Sequence, residues 1–289
     1  MSSPSPRGRG LHELGRFLEI QTLGLNVPFA LAFVFVAAEG LPRLVPFALI
    51  VVAFVAARNA GHAFNRWTDR KFDAANPRTA DRALPAGRLS SAFALGTTAV
   101  SAVVVLLAAW LLNPLALALA PVALALVLGY SYTKRLSSLS TAFLGLVQAI
   151  TPAAAFVALD ADLPVAALLA VGGVFAWGTA FETVHSLGDL ESDRQLGLCS
   201  LPVRLGPKAS VALVTALHGV ALALLAAFGF AERLRLPYYL ALIVIAVGVA
   251  LTDRALASTE DVRIPFRRHF FFAAVFLVGV AVAVFVPWT

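Results

Sequence analysis

Charged residues are scarce in this sequence. Asp, Glu, Lys and Arg together make up 13% of the 289 residues, whereas 60% of the residues are hydrophobic. A soluble domain typically carries about 25% charged and about 45–50% apolar residues. The mean hydropathy is +0.86. These proportions exclude a disordered chain and argue against a water-soluble enzyme, so they indicate a polytopic membrane protein.

Cysteine is almost absent, since Cys199 is the only one in the chain. A single cysteine excludes a disulfide framework and any zinc or iron–sulfur site built from several thiolates. The formal net charge is +6. Basic cytoplasmic loops account for such a charge in a membrane protein. Because no basic face lies outside the apolar runs, we expect no nucleic-acid partner.

Long apolar runs, in contrast, recur along the whole chain. A membrane-spanning helix needs about 20 predominantly apolar residues, and nine runs approach this length. They lie near 22–42, 44–64, 90–112, 114–132, 139–159, 163–186, 208–230, 236–253 and 268–287. We therefore predict an all-α, nine-span membrane protein with a single domain over 1–289. Residues 1–21 are basic and then amphipathic, which predicts a cytoplasmic or interfacial arm and not a signal peptide.

The distribution of Lys and Arg predicts the orientation. With the N-terminus inside, 18 of the 22 basic residues fall on inner segments and three on outer loops. This bias is a strong positive-inside signal. It predicts a multi-pass protein of the cell's inner (cytoplasmic) membrane with the N-terminus and both long loops, 66–89 and 187–207, on the cytoplasmic side.

Acidic side chains cluster at the inner ends of the second and sixth predicted spans. In the first cluster Asn65, Asp69 and Asp73 are spaced i, i+4 and i+8. Each step of four residues drifts by only about 40° around a helix, so the three side chains form one stripe. Two carboxylates at this spacing repel each other. A cation or a nearby Arg must therefore offset their charge.

The second cluster repeats this spacing. Asp189 and Asp193 are four residues apart, and Glu182 and His185 precede them on the same predicted helix face. Charge beside an apolar span costs about 2.5–3.5 kcal/mol per group on insertion scales. Such a repeated arrangement therefore favours a function over simple capping of helix ends.

Paired carboxylates and nearby bases suit a particular ligand. Mg²⁺ is commonly held by a few carboxylates together with substrate phosphates. Cations in the adjoining loops can bind the rest of a diphosphate. These cations are Arg70, Lys71, Lys134, Arg135 and Arg194. The sequence thus predicts a site for a diphosphate ester whose tail lies in the bilayer.

Three stretches resemble the UbiA superfamily of intramembrane prenyltransferases. They read NRWTDRKFDAANPRTADRALPAGRLS (65–90), YSYTKRLSS (130–138) and DLESDRQLGLCSLPVRLG (189–206). They are similar to the 4-hydroxybenzoate polyprenyltransferase branch and to related enzymes assigned to menaquinone synthesis through futalosine. The resemblance extends from about residue 15 to the end of the chain.

The resemblance implies a bundle of nine helices around a central cavity that opens laterally to lipid. Two acidic motifs would face each other there and hold Mg²⁺ ions on the donor diphosphate. By position these motifs are Asn65, Asp69 and Asp73, and Asp189 and Asp193. Tyr130 and Lys134 match an aromatic and a diphosphate-contacting basic position, and Arg58 matches a residue proposed to receive the acceptor's carboxylate.

Two residues depart from the pattern of this branch. Many relatives carry Asp at the position of Glu182 and Tyr at that of His185. Glu182 keeps the charge, whereas His185 changes the hydrogen-bond donors that an acceptor meets. We expect both to contact substrate, together with Arg70 and Arg194. We also expect the loop from Ala74 to Arg88 to act either as a lid, with Arg82 and Arg88 pointing inward, or as a solvated connector.

The expected function is Mg²⁺-dependent transfer of a polyprenyl group to 4-hydroxybenzoate or a dihydroxynaphthoate in ubiquinone or menaquinone synthesis. Other acceptors within the family are homogentisate, a haem, a chlorophyllide or a phosphosugar. A CDP-alcohol phosphotransferase is disfavoured because its Asp-Gly-x-x-Ala-Arg pattern is absent. A transporter or ion-coupled carrier is a further alternative, although the outer halves of the predicted spans contain no acids to form a path.

Overall fold

The computed structural model describes residues 13–76, 79–160, 162–258 and 263–287. The side chains of residues 21, 134–136, 160 and 263–266 lie outside this description. Most of the predicted N-terminal arm, residues 1–12, also lies outside the described residues.

The described residues form α-helices and contain no β-strand. A short 3₁₀-helix, Ile20–Thr22, precedes the first long helix. The helices are α1 (Leu23–Ala37), α2 (Leu44–Ala75), α3 (Ser91–Leu112), α4 (Pro114–Leu136), α5 (Ser140–Asp160), α6 (Val165–Gly188), α7 (Leu190–Gln195), α8 (Leu201–Leu205), α9 (Pro207–Ala231), α10 (Leu236–Ser258) and α11 (Arg263–Phe285). The all-helical class is as predicted.

Eight of these helices are long and apolar enough to cross a membrane, counted over the described part of the chain. The remaining apolar helix, α1, has 15 residues and is about 22 Å long, less than the roughly 30 Å of a hydrocarbon core. It ends early because Glu39 has left-handed backbone (φ 49°) and Pro42 follows. Neither residue favours continuation of a helix.

Helix α2 is the longest element and carries the first acidic motif. Its 32 residues extend about 48 Å, so it continues well past the length of a membrane span. The sequence predicts no break before Asp69, and the helix indeed continues through Asp73 to Ala75. Asn76 is extended (φ −98°, ψ 117°), as expected for a residue that precedes a proline.

Helix α6 does not continue through the second acidic motif, which corrects the prediction of one uninterrupted helix face. It ends at Gly188, and Asp189 leaves the helical region with φ −103° and ψ 0° before α7 begins at Leu190. Helix α7 follows directly, because Asp189 is its N-cap residue and the Asp189 carbonyl accepts from the amide of Asp193 at 2.8 Å.

The main core is rich in aromatic rings and lies between α1, α5, α6, α9, α10 and α11. Fully buried rings include Phe33, Phe228, Phe272 and Phe276. Tyr238 is also buried there, and its hydroxyl donates to the carbonyl of Leu225 at 2.7 Å, which satisfies a polar group that would be costly to bury alone. This packing holds the C-terminal helices against α6.

The described end of the N-terminal arm packs on the bundle. Phe17 is 3% exposed and clusters with Ala63 of α2 and Ala94 of α3. Its ring lies 5.8 Å from that of Phe93. The arm is therefore anchored beside the part of α2 that carries the first acidic motif.

Close packing of α5 on α6 depends on Gly145. A Cβ atom there would lie 2.8 Å from the carbonyl oxygen of Phe175 and 2.8 Å from the amide of Thr179. We expect Gly145→Ala to destabilise the protein by about 1–3 kcal/mol, because the two backbones must separate. The measurement is thermal unfolding in detergent.

Gly96 of α3 is the control for this substitution, since it is exposed and a Cβ there meets nothing within 4 Å. Gly96→Ala should be neutral or slightly stabilising, because alanine favours the helix. Equal unfolding temperatures for the two variants would show that the α5–α6 contact does not limit stability.

Candidate active site

A cavity of ≈ 650 Å³ lies within the bundle, and all of its lining residues fall between positions 19 and 198. Along α2 it extends from Ile50 to Asp73, a length of about 35 Å. Part of its wall is apolar, with Phe29, Phe33 and Trp177. The rest of the wall carries the acidic side chains that the sequence singles out.

Both acidic motifs line this one cavity. The lining contains nine of the residues predicted for the site, namely Arg58, Asn65, Asp69, Asp73, Tyr130, Glu182, His185, Asp189 and Asp193. The two motifs belong to α2 and to the junction of α6 with α7. Residues about 120 positions apart in sequence are thus brought to a shared space.

The first motif is internally bonded and paired with a base. The Asn65 amide Nδ2 donates to Asp69 Oδ2 at 3.0 Å. Asp73 Oδ1 accepts from Arg82 Nη1 at 2.7 Å, and Asp73 is 7% exposed. The second carboxylate oxygen, Asp73 Oδ2, is buried and accepts no hydrogen bond from the described residues. An unsatisfied buried acceptor is costly, and a cation is one group that would satisfy it.

The loop after α2 positions Arg82. Thr79 Oγ1 donates to the backbone carbonyl of Asp73 at 3.0 Å and fixes the start of the loop. The prediction that Arg82 points inward is confirmed, since it lines the cavity. The same prediction for Arg88 is wrong: its guanidinium instead contacts Glu13 at 3.2 Å and Asp81 at 3.0 Å.

The second motif is buried although it lies at a helix junction. Asp189 and Asp193 are 7% and 4% exposed. Ser192 Oγ donates to the Asp189 carbonyl at 3.0 Å, which closes the turn between them. Glu182 lies about two helical turns before Asp189. Its Oε1 accepts from Gln148 Nε2 at 3.1 Å, so α5 helps to orient the Glu182 carboxylate.

Arg58 binds the N-terminal arm. Its guanidinium donates to the carbonyls of Leu18 at 2.7 Å and Glu19 at 2.6 Å, and also to Thr22 Oγ1. Its Nε is buried and has no hydrogen-bond partner among the described residues. Arg58 thus holds the arm at the cavity, and its Nε–H remains available as a hydrogen-bond donor.

Glu19 is a site residue that the sequence reasoning missed. Its carboxylate accepts from Arg66 and lies 3.8 Å from His62 Nδ1. Its backbone is left-handed (φ 49°), which is uncommon outside glycine. Burial raises the pKa of Glu19 and is the largest single effect, but the charges of Arg66, His62, Arg82 and His185 together outweigh it and hold that pKa below its ordinary value.

Nothing in the local sequence distinguishes Glu19 from the other polar residues of an amphipathic segment. Its partners lie more than 40 positions away on α2. Gln148 was missed for a related reason, because one amide in an apolar helix is a weak signal until Glu182 is placed beside it. A polar residue inside a predicted span was the available clue.

Two of the remaining predicted residues, Arg70 and Arg194, do not line the cavity. Arg70 lies over the Trp67 ring at 4.9 Å and donates to the Trp67 carbonyl at 2.6 Å, so it is absent from the lining. Arg194 is exposed and also absent from it. The side chain of Lys134 lies outside the described residues.

The donor set fits a magnesium ion that is shared with a substrate. Among the described residues, no three His, Cys, Asp or Glu side chains lie close enough together to hold one metal ion. A closed cage made only of protein ligands is therefore not formed. Mg²⁺ commonly takes one or two carboxylates and completes its shell with water and phosphate. The buried carboxylates that line this cavity suit such shared binding of Mg²⁺. One of their oxygens, Asp73 Oδ2, has no hydrogen-bond partner among the described residues.

Comparison with known proteins identifies similar sequences and folds. The UbiA prenyltransferase family matches residues 26–276. The chain is 32% identical over 225 residues to a 4-hydroxybenzoate octaprenyltransferase of Nitrosospira multiformis, covering 78% of this chain and 77% of that protein. A protein of the same name from Alkalilimnicola ehrlichii is 35% identical over 208 residues, covering 72% and 70%.

Solved structures agree. A UbiA homologue from Aeropyrum pernix K1 in its apo form superposes with a TM-score of 0.82 at 31% identity, covering 91% of this chain and 98% of that one. A UbiA homologue from Archaeoglobus fulgidus, bound to GPP and Mg²⁺, has a TM-score of 0.75 at 18% identity and covers 95% and 100%. The second likeness shows the fold alone.

Glu19 predicts a pH-dependent contribution to stability. A carboxylate whose pKa is lowered on folding stabilises the folded state above its unfolded pKa, and this stabilisation is lost as the pH falls through the lowered value. We expect Glu19→Gln to cost about 1–2 kcal/mol at pH 7. The difference from the wild type should shrink below the ordinary glutamate value of 4.5.

The measurement is the apparent Tm in detergent between pH 8 and pH 4. Glu39→Gln is the matched control, because Glu39 has the same left-handed backbone at the far end of α1. A pH-independent loss in Glu19→Gln, or the same loss in Glu39→Gln, would refute a stabilising charge interaction at Glu19.

Proposed function

The chain belongs to the UbiA prenyltransferase family, and on that premise we propose that it transfers a polyprenyl group from a polyprenyl diphosphate to an aromatic acid. The acceptor is 4-hydroxybenzoate or a dihydroxynaphthoate, and the product is a precursor in quinone synthesis. The observation that carries this proposal is the presence of two acidic motifs, from separate helices, on a cavity whose remaining wall is largely apolar.

The side chains of both motifs would hold Mg²⁺ on the donor's diphosphate. They are the carboxylates of Asp69 and Asp73 and the amide of Asn65 on α2, with the carboxylates of Asp189 and Asp193 at the α6–α7 junction. When bound, the metal would supply Lewis-acid stabilisation of charge on the departing diphosphate. Arg82 lies beside Asp73 and is placed to add a charge-assisted hydrogen bond to the same group. We include Lys134 as a further base on the diphosphate, and Arg70 and Arg194 as outer bases whose positive charge attracts the anionic substrate.

Loss of diphosphate leaves an allylic carbocation that the aromatic ring of the acceptor attacks. Water would destroy that cation, so the site must exclude it. Apolar side chains from several helices line the cavity away from the acids, which suits both this exclusion and the accommodation of a prenyl tail. The acceptor ring then loses a proton and regains aromaticity.

The acceptor lies near Arg58. The buried Nε of Arg58 has no hydrogen-bond partner among the described residues, so it can donate a charge-assisted hydrogen bond to the acceptor's carboxylate. Tyr130, Glu182 and His185 line the same cavity and orient the ring and its hydroxyl group. The arm contributes indirectly, since its carbonyls occupy the other guanidinium nitrogens of Arg58.

In the membrane we propose nine spans, with α1 as the short one, and a single domain. The N-terminus and both acidic motifs face the cytoplasm, in accordance with the excess of Lys and Arg on these segments. The cavity opens laterally, so that a lipid-soluble donor enters from the bilayer.

Asp193→Asn tests the assignment of the second motif. It removes one charge from a buried position at almost constant volume, and we expect Mg²⁺-dependent prenyl transfer to fall at least about 100-fold. Glu191→Gln is the control, because Glu191 lies in the same short helix but is exposed and absent from the cavity. Product is measured by mass spectrometry in purified membranes. Retained turnover in Asp193→Asn would remove Asp193 from the site.

Arg58→Ala tests the acceptor assignment. We expect the KM for the aromatic acid to rise about 10-fold or more, with a much smaller change in the KM for the prenyl diphosphate. Thr22→Val removes one arm contact of Arg58 and leaves the guanidinium in place, so it controls for displacement of the arm. A larger effect on the donor's KM would assign Arg58 to the other substrate.

A further inference from the structure

A buried ionisable pair lies outside the cavity and has no part in the chemistry above. His218 of α9 is 1% exposed and Asp253 of α10 is 5% exposed. His218 Nδ1 lies 3.1 Å and 3.0 Å from the two carboxylate oxygens of Asp253. Neither residue lines the cavity.

Such a pair does not stabilise a membrane bundle efficiently. Ionisable groups within spans are costly, and apolar residues of similar volume often stabilise a buried position equally well or better. What the pair does supply is orientation, because a carboxylate on one ring nitrogen fixes the tautomer and rotation of an imidazole. The pair is therefore better understood from what the ring of His218 contacts.

The His218 ring supports the cavity wall. Its centroid lies 5.2 Å from the ring of Trp177, and His269 lies 5.5 Å from the same indole. Trp177 is 5% exposed and lines the cavity. The centroid of the Trp177 ring lies 6.0 Å from that of Phe29, which also lines the cavity. The pair thus lies directly behind an aromatic part of the wall.

Trp177 is far from the second acidic motif. It lies on α6, 12 residues before Asp189, which corresponds to about 18 Å along the helix axis. A donor whose diphosphate lies at the acids therefore meets Trp177 only with the distant part of its tail. A short prenyl donor does not reach that far.

We propose that the His218–Asp253 pair is a positioning device that fixes Trp177 and thereby determines how well the enzyme binds long prenyl donors relative to short ones. This inference rests on the proposed function. Trp177 is the residue that touches the tail, and His218 and Asp253 act through it.

The test compares a short and a long donor in the same variants. In Asp253→Leu the imidazole loses its partner, and we expect the KM for a long polyprenyl diphosphate to rise about five- to tenfold. The KM for dimethylallyl diphosphate and the kcat with it should stay within about twofold of the wild type. Asp253→Asn keeps an acceptor for Nδ1–H and should restore most of the long-donor affinity.

Two further variants separate positioning from general destabilisation. Leu242→Ala removes a buried side chain from α10, the helix of Asp253, at a position that does not line the cavity. It should change the KM for the short and the long donor by the same factor, or change neither. Trp177→Leu should also raise the KM for the long donor. This variant tests the inference even if Asp253→Leu does not fold. Adding Asp253→Asn or Asp253→Leu to Trp177→Leu should then change the long-donor KM no further.

The outcomes are distinct. An equal change with both donors in Asp253→Leu, or an unchanged long-donor KM in Trp177→Leu, would overturn the inference while leaving the proposed function intact. Absence of product from the wild type with every donor would overturn the proposed function and this inference with it.

Discussion

Several carboxylates are buried in a largely apolar bundle, and their need for partners determines how the surrounding elements are arranged. Asp73, Asp189 and Asp193 are each less than 10% exposed, and each carries a desolvation cost that only hydrogen bonds or an opposite charge can offset. Arg82 offsets part of it at Asp73. The second oxygen, Asp73 Oδ2, accepts no hydrogen bond from the described residues, which explains why a divalent cation suits this cavity.

The same need for partners explains the position of the N-terminal arm. Arg58 and Arg66 belong to α2 and lie among apolar helices, where a guanidinium also needs partners. The arm provides them through backbone carbonyls and the Glu19 carboxylate. The left-handed backbone of Glu19 is held by these contacts, and Phe17 packs beneath them. The arm is thus part of the cavity wall and does not merely precede the first helix.

Sequence reasoning was most successful where one physical rule dominates. Apolar runs predicted the helices, and the i, i+4 spacing predicted that Asn65, Asp69 and Asp73 form one stripe on an unbroken α2. It failed where the outcome depends on tertiary contacts. The break at Asp189 interrupts a favourable periodicity, and Arg70 packs on Trp67 although its position in the motif suggests a ligand contact. The roles of Glu19 and Gln148 depend on partners that are distant in sequence.

We propose that both acidic motifs act on one Mg²⁺-bound diphosphate. The most direct test of this proposal is calorimetric titration of the purified protein with an unreactive thiolo analogue of a prenyl diphosphate, with Mg²⁺ and with EDTA. We expect saturable binding only with Mg²⁺, and loss of that binding in Asp69→Asn and in Asp189→Asn alike. Binding that persists in EDTA, or that is lost in only one of the two variants, would contradict a shared site.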